Sequence, residues 1–492
     1  MHPLYSVAEI RDIEKRAAGD LMERAGRQAA QCALKLSTEG AILVLAGPGN
    51  NGGDAFETAA HLANAGRAVS IVQFGEETRY STDAQRALGR AHRSSAQFVD
   101  AACIEITHWT LAIDGLFGIG LTRPVSGELR GALEAVNRLH CPVLALDVPS
   151  GLDADTGVIV GPDGVAVRAT NTITFIGDKP GLHTGFGRDF AGAVQVASLD
   201  IDAGLFPAPR IWINGPELWS DRLAPRAQNS HKGSYGNVSV IGGAHGMAGA
   251  AILSARASAR CGAGRVFAGF IDKVPDYDSE QPELMLRAAT QLDLTATTIV
   301  AGPGMGNSAA SLSSLERVLR APGPLVLDAD ALNLLAAQPD LHPALQTHGS
   351  AILTPHPLEA ARLLGVPIGA IQADRLAAAR TLAARFNAIV VLKGSGSVIA
   401  AQDGRCCINP TGNPGLASAG TGDVLAGICG ALLAQGWPAW QAALGAVWLH
   451  GQAADALVER GVGPIGLGAM ELIPVVRESL NALVRQGADR PL

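Results

Sequence analysis

Short, unbroken apolar runs that end in glycine-rich polar loops recur along this chain, and they constrain its fold more than any other feature. Ala41-Ile42-Leu43-Val44-Leu45-Ala46 leads straight into Gly47. Residues 68–74, 111–113, 143–146 and 172–175 have the same form, with helical segments such as 55–65 and 129–139 between several of them. A strand without polar alternation is buried on both faces, and strands alternating with helices build a parallel sheet. Such a sheet holds ligands at the carboxyl ends of its strands. A second series starts at Asn237–Gly242 and continues through 298–301, 325–327, 351–353 and 389–392. Ahead of the first series, residues 5–36 carry apolar side chains at helical spacing and predict one or two helices.

The length of 492 residues admits three domains or two large ones. Residues 202–226 carry Pro207, Pro209, Pro216 and Pro225 with little periodicity, which places a junction near 210–225. The expected domains are 1–215 and 225–492. Both halves contain Gly-Pro-Gly (47–49 and 302–304), but their other motifs differ, so two unlike α/β domains fit better than a duplication.

Composition excludes several classes. With 48% hydrophobic and 17% charged residues, the chain has material for two cores and is not disordered. A net charge of −7 and few aromatic residues argue against a nucleic-acid binder. Seven cysteines without a C-x-x-C pair predict reduced thiols and a cytoplasmic protein. The first residues have no apolar core of a signal peptide. Residues 424–454 are uncharged, but Gln435-Gly436-Trp437-Pro438 divides them into pieces shorter than the ~20 residues a span needs. Two buried helices are predicted there, with no membrane partner.

In the first half, Gly47-Pro48-Gly49-Asn50-Asn51-Gly52-Gly53-Asp54 forms a strand-to-helix turn. Its glycines let main-chain amides approach an anion, and the helix start adds partial positive charge. The blander reading is a tight turn with Asp54 as a helix cap. Asp114 and Asp147 are read as standing just past two further strands, before Gly115–Pro124 and Val148–Asp153 respectively. Asn51, Asp114 and Ser150 offer hard oxygens suited to a small cation, although each alone suits a turn equally well.

In the second half, Gly242-Gly243 and Ala244–Ala251 open a helix at 252–260, and Gly302-Pro303-Gly304-Met305-Gly306 repeats the pattern. His356 lies between Pro355 and Pro357, where a stiff turn and a ligand contact are equally good readings. Lys393-Gly394-Ser395-Gly396-Ser397 follows the strand at 389–392. Asn413-Pro414-Gly415 and Gly420-Thr421-Gly422-Asp423 then introduce an apolar helix over 424–434. Free amides at that helix start form an anion hole, with Asp423 beside the phosphate it would hold.

These residues carry a resemblance. Asn50–Asp54, Asp114-x-x-x-Gly118-x-Gly120-x-x-Arg123 and Asp147-x-Pro149-Ser150-Gly151 resemble the epimerase half of bifunctional NAD(P)H-hydrate repair enzymes, over roughly 1–215. Gly-Thr-Gly-Asp before a buried helix resembles the ribokinase-like superfamily. The fuller set over about 225–485 is similar to the ADP-dependent hydrate dehydratase, the other half of those enzymes. The resemblance implies a Rossmann-like three-layer α/β/α domain followed by a ribokinase-like one. It implies potassium held by Asn51, Asp114 and Ser150. Hydrate contacts would come from Asn50, Asn51, Gly52, Gly53, Asp54, Gly118, Ile119, Gly120, Leu121, Thr122, Arg123, Pro124 and Asp147. Asp147 is the expected acid/base, since inversion at C6 needs help for a departing hydroxyl. In the second domain, hydrate contacts fall on Ala250, Gly306, His356 and Asp423, and nucleotide contacts on Lys393, Gly394, Ser395, Gly396, Ser397 and Gly422. Ser397 replaces a usual threonine and Ala419 a usual glycine. The implied chemistry equilibrates the R and S hydrates of NADH and NADPH, then dehydrates the S form with ADP, giving AMP and phosphate. Asp423 is the expected base, with magnesium as the usual companion of phosphoryl transfer. A homo-oligomer is expected.

Other classes stay open at this level. A ribokinase-like small-molecule kinase with a regulatory N-terminal domain would use the same Gly-Thr-Gly-Asp turn. A nucleotide-sensing scaffold would bind without turnover. A dehydrogenase is disfavoured because no strand turn reads G-x-G-x-x-G.

Overall fold

The computed structural model describes residues 1–37 and 39–488, so residues 489–492 of the second expected domain lie outside the described residues. His2–Ile211 form one compact unit, and the chain from Trp212 onward forms the body of another.

In the first unit, β1 (His2–Leu4) bridges to Asp178. α1 (Val7–Arg16) starts at a Ser6–Glu9 capping box, and α2 (Leu21–Leu36) at Asp20. The strands are β2 (Ala41–Ala46), β3 (Ala68–Gln73), β4 (Gln97–Phe98), β5 (Leu111–Gly115), β6 (Val143–Leu146), β7 (Asn171–Phe175) and β8 (Ala193–Ala197). The helices are α3 (Asn50–Asn64), α4 (Thr82–Arg93), α5 (Cys103–Ile106), α6 (Gly127–Val136) and α7 (Gly187–Phe190). The seven strands run parallel in the order β4-β3-β2-β5-β6-β7-β8. Alternate strand residues enter opposite cores, as period-two geometry requires. Ile42, Val44 and Ala46 pack with Ile13, Ala29 and Phe56, whereas Leu43 and Leu45 join Ile104, Leu133 and Val136. The result is a three-layer helix–sheet–helix domain. Its strand order reverses between β2 and β5, and a ligand crevice opens where that happens.

The second unit follows β9 (Ile211–Ile213). Its strands are β10 (Asn237–Gly242), β11 (Arg265–Phe270), β12 (Met285–Ala288), β13 (Thr298–Ala301), β14 (Leu325–Leu327) and β15 (Ala351–Leu353). β16 (Ile389–Leu392), β17 (Val398–Ala400) and β18 (Cys406–Ile408) complete them. From β18 the order is β18-β17-β16-β15-β14-β13-β10-β11-β12. The pairings from β12 to β16 are parallel, but β16-β17-β18 is an antiparallel meander. The sequence reading stops at 389–392 and does not include this meander, whose hairpin connections need no crossover helix.

The helices of this unit begin with α8 (Ala248–Arg260), α9 (Ala309–Leu319), α10 (Ala329–Ala337), α11 (His342–His348) and α12 (Pro357–Leu364). They continue with α13 (Ile368–Ala373), α14 (Arg375–Phe386), α15 (Thr421–Ala434), α16 (Ala439–Glu459) and α17 (Ala469–Ala488). α8, α15, α16 and α17 share a core with Val238, Val300, Val326, Ile352 and Val391. On the other side, α9 packs on β13, and α14 on β16 and β17. Beyond its first turn the α15 helix is apolar all round and buried, as such helices must be. Among the described residues no helix is long and apolar enough to cross a membrane. The seven cysteines are all unpaired.

Candidate active sites

A cavity of about 360 Å³ opens at the β2–β5 reversal of the first unit. α3 begins earlier than the sequence suggests, at Asn50, with Gly49 as an N-cap that offers no side chain. Asp54 is therefore inside the helix and not its cap. Gly52 and Gly53 are helical packing residues: a Cβ at Gly52 would meet the Gly47 carbonyl, and one at Gly53 the Met22 side chain. Asn-Asn-Gly-Gly is a poor helix start by propensity, so this close packing overrides the local preference.

Asp114 also differs from its expected position, since β5 extends through Gly115 and includes it. It is fully buried. Its Oδ1 accepts from the Ser150 hydroxyl at 2.6 Å and Oδ2 from the Ser150 amide at 2.8 Å. Burial pushes its pKa up to about 6, against the hydrogen bonds from Ser150 and Leu116. Asn51 donates through Nδ2 to the Leu146 carbonyl at 3.1 Å, while its buried Oδ1 has no hydrogen-bond partner. An orphaned amide oxygen beside a buried carboxyl and a hydroxyl is a donor set that fits a hard cation.

Asp147 follows β6 in a left-handed conformation, φ 66°. Its Oδ2 accepts from the Ile119 amide at 3.0 Å. Its Oδ1 accepts from the Lys179 ammonium at 2.6 Å. Lys179 is fully buried and donates also to Thr174 Oγ1 and the Phe175 carbonyl, both at 2.7 Å. A Cβ at Gly118 would lie 2.6 Å from Asp147 Oδ2, so glycine there admits the carboxylate.

Of the residues singled out in sequence, Asn50, Asn51, Asp54, Gly118, Ile119, Gly120, Leu121 and Asp147 line this cavity. Thr122, Arg123 and Pro124 are exposed and outside its lining. Sequence reasoning missed Arg11 and Glu14 of α1, which do line it, and Lys179 behind it. A lysine shortly after an apolar strand was the available signal for Lys179, and it had served for Lys393.

In the second unit the singled-out residues gather at the carboxyl ends of β10, β13, β14, β15 and β16. α8 begins at Ala248, so Ala250 lies in its first turn, against Gly304. The Gly306 amide donates to Asp330 Oδ2 at 2.8 Å. His356 caps α12: its Nδ1 accepts from the Leu358 and Glu359 amides at 3.1 and 3.2 Å, while Glu359 accepts from the His356 amide. Its ring is still 45% exposed, and Nε2 lies 3.3 Å from Glu359 Oε1. Burial and then Lys393 lower its pKa.

Lys393 donates to Asp328 Oδ1 at 2.7 Å, and Thr354 Oγ1 donates to the same oxygen at 2.8 Å. Burial depresses the lysine, but Asp328 and Glu359 more than offset that and raise its pKa. Ser397 closes the following loop, accepting from the Gly394 amide at 3.3 Å. Arg375, missed in sequence, supports the loop from below by donating to the Leu392 and Lys393 carbonyls.

Gly420, at φ 88°, is the N-cap of α15 and has no capping side chain. A Cβ at Gly422 would lie 3.4 Å from Lys393 Nζ. The helix start, Lys393 and Asp328 therefore converge. Asp423 stands in the first helical turn. Its pKa is pushed up to about 7, by burial first and then Asp328, with Lys393 opposing and Asp330 adding. Ala419 is not among the residues at positive φ, so alanine in that glycine place carries no backbone strain.

Comparisons with known proteins cover both units. Residues 18–181 match the family model described as YjeF-related protein N-terminus, and 238–473 the one described as NAD(P)H-hydrate dehydratase. The bifunctional NAD(P)H-hydrate repair enzyme Nnr of Coxiella burnetii is 37% identical over 98% of this chain and 100% of its own. Its Escherichia coli counterpart is 36% identical over 98% and 94%. Among solved structures, the ADP/ATP-dependent NAD(P)H-hydrate dehydratase from Bacillus subtilis, co-crystallised with ATP and Mg2+, is 31% identical. It covers 55% of this chain and 98% of its own, with a TM-score of 0.48. The curated relatives align with nearly the whole of this chain, through both matched regions, and the chain belongs to the family of bifunctional NAD(P)H-hydrate repair enzymes.

Proposed function

We propose that the first unit interconverts the R and S hydrates of NADH and NADPH, and that the second dehydrates the S hydrate at the expense of ADP. The observation that carries this reading is the presence, on one chain, of two glycine-opened helix starts, each with a carboxyl and a lysine beside it, Lys179 fully buried and Lys393 partly so.

In the first unit Asp147 is the acid/base at C6. Lys179 and the Ile119 amide hold its two oxygens, which fixes the carboxylate in the cavity. Asn51, Asp114 and Ser150 would hold potassium, which supplies a fixed positive charge for the substrate's anionic groups. Potassium should raise the melting temperature of the wild-type chain above that in sodium, by thermal-shift measurement. Asp114→Asn should lose the difference.

In the second unit, hydroxide is a poor leaving group, so the C6 hydroxyl is phosphorylated before it departs. Asp423 removes the hydroxyl proton, and a pKa near neutrality suits that task. The α15 amides around Gly422 and the Lys393 ammonium stabilise the charge on the phosphoryl group in transfer. Phosphate then leaves C6 and the dihydronicotinamide is restored, with AMP as coproduct. Three carboxyls, Asp328, Glu359 and Asp423, act on one lysine here, an excess of negative charge that fits magnesium brought with the nucleotide. Magnesium there would neutralise phosphate oxygens.

One assay tests both halves. Mixed epimers of NADH hydrate are incubated with the chain, ADP, Mg2+ and potassium, and the dihydropyridine absorbance is followed. Full recovery is expected; recovery that stops at the S fraction removes the epimerase half, and no recovery removes the proposal.

A further inference from the structure

Three carboxyls on different elements line the first cavity: Asp147 after β6, Asp54 on α3 and Glu14 on α1. Lys179 has three N–H donors, and Asp147, Thr174 and Phe175 take all of them, leaving none for Asp54. Around Asp54 stand Glu14 and Arg11 of α1, Asp147 and Lys179 from the strand ends, and Glu57 further along its own helix. Glu57 is itself engaged by Arg90 of α4. Burial, then Asp147, Glu14 and Glu57, push the Asp54 carboxyl well above the usual range, with Lys179 opposing. The cavity thus pairs an aspartate that accepts hydrogen bonds on both oxygens with one that burial and neighbouring carboxyls push towards its protonated form.

Inversion of a hydroxyl-bearing carbon needs a proton donor on the face the oxygen leaves and an acceptor on the face where it returns. One side chain cannot serve both faces. We propose that Asp54 is the second catalytic acid/base of the epimerase, working with Asp147 across C6 of the hydrate. This rests on the epimerase reading of the cavity. In one direction Asp54 gives its proton to the C6 hydroxyl, and the C6–O bond breaks as water departs. The N1 lone pair forms the C6–N1 double bond. A water then adds to the opposite face, a new C6–O bond forms, and the π electrons return to N1. The proton lost by that water goes to Asp147. The reverse direction starts from protonated Asp147 and restores the first state, so atoms and charge balance with no redox partner. Glu14 sits near both carboxyls and helps hold the shared proton.

The test uses the full chain, with R-to-S conversion of NADH hydrate followed by chiral chromatography in water enriched in 18O. Wild type should incorporate one solvent oxygen per inversion. Asp54→Asn should lower the turnover rate about 10²–10⁴-fold with little change in KM, and Asp54→Glu should recover part of it. Glu14→Gln should move the alkaline limb of the pH–rate profile to lower pH, because a negative neighbour is removed; a merely structural role would leave that limb in place. Dehydration of pure S hydrate by the second unit should persist in all three variants, which shows that the chain is folded there. Asp54→Asn within tenfold of wild type, an unmoved alkaline limb in Glu14→Gln, or inversion without 18O uptake would each overturn the pairing. A wild-type chain that does not interconvert the epimers would instead overturn the epimerase reading itself.

Discussion

Asp423→Asn should lower ADP-dependent dehydration of the S hydrate by about 10²–10⁴-fold, the usual share of a positioned general base. Nucleotide affinity, measured by calorimetry with ADP and Mg2+, should stay within a few-fold, since the α15 amides and Lys393 are untouched. The same carboxyl sets a pH dependence. Its pKa lies at about 7, so the basic form is lost as pH falls, and kcat/KM should drop below pH 7 on a limb that Asp423→Asn abolishes. Stability runs the other way. A carboxyl whose pKa is raised in the folded state favours folding below the ordinary carboxylate range, and that contribution disappears as pH rises through about 7. At pH 8 the wild type therefore carries an ionised, crowded carboxylate that asparagine lacks. Asp423→Asn should melt higher than wild type at pH 8, with the advantage shrinking towards pH 5. A variant that melts lower at pH 8, or keeps full dehydratase turnover, would contradict the assignment.

Lys179→Met should have the largest effect on the first unit. Removing one member of a buried ion pair leaves the other uncompensated, at a cost of about 3–5 kcal/mol. Thr174 Oγ1 and the Phe175 carbonyl lose their donor as well. Denaturant unfolding of the full chain should show the first transition displaced, with R-to-S conversion below detection. Adding Asp147→Asn to that variant should restore much of the stability, since the orphaned charge is gone, but none of the epimerisation. Asparagine is the fitting replacement because it tolerates the left-handed backbone at this position. If Lys179→Met alone were as stable as wild type, the pair would not have the structural weight its burial indicates.

The strands with unbroken apolar runs were legible from sequence to the residue, among them β2, β6, β10 and β13 to β16. Continuous burial on both faces leaves no polar position to blur their ends. The strands β17 and β18 were not: they join β16 as an antiparallel meander, with no helix between them to set each one apart. The start of α3 was misplaced because Asn50-Asn51-Gly52-Gly53 looks like a turn, and only the Gly47 and Met22 contacts explain why those glycines are helical.

The site divides in the same way. Asp147, Lys393 and Asp423 were visible because each follows a strand or opens a helix, positions where chain direction alone delivers a side chain to the sheet's carboxyl edge. Glu14, Lys179 and Arg375 act across the fold: Lys179 reaches back to Asp147, and Glu14 comes from α1. Sequence by itself thus determined the two α/β units and the glycine-opened helix starts, because burial pattern and backbone freedom are local properties. Only the tertiary structure decided which charges meet, and so which carboxyls are pushed above their ordinary range, because desolvation and Coulomb forces depend on distance in space and not along the chain.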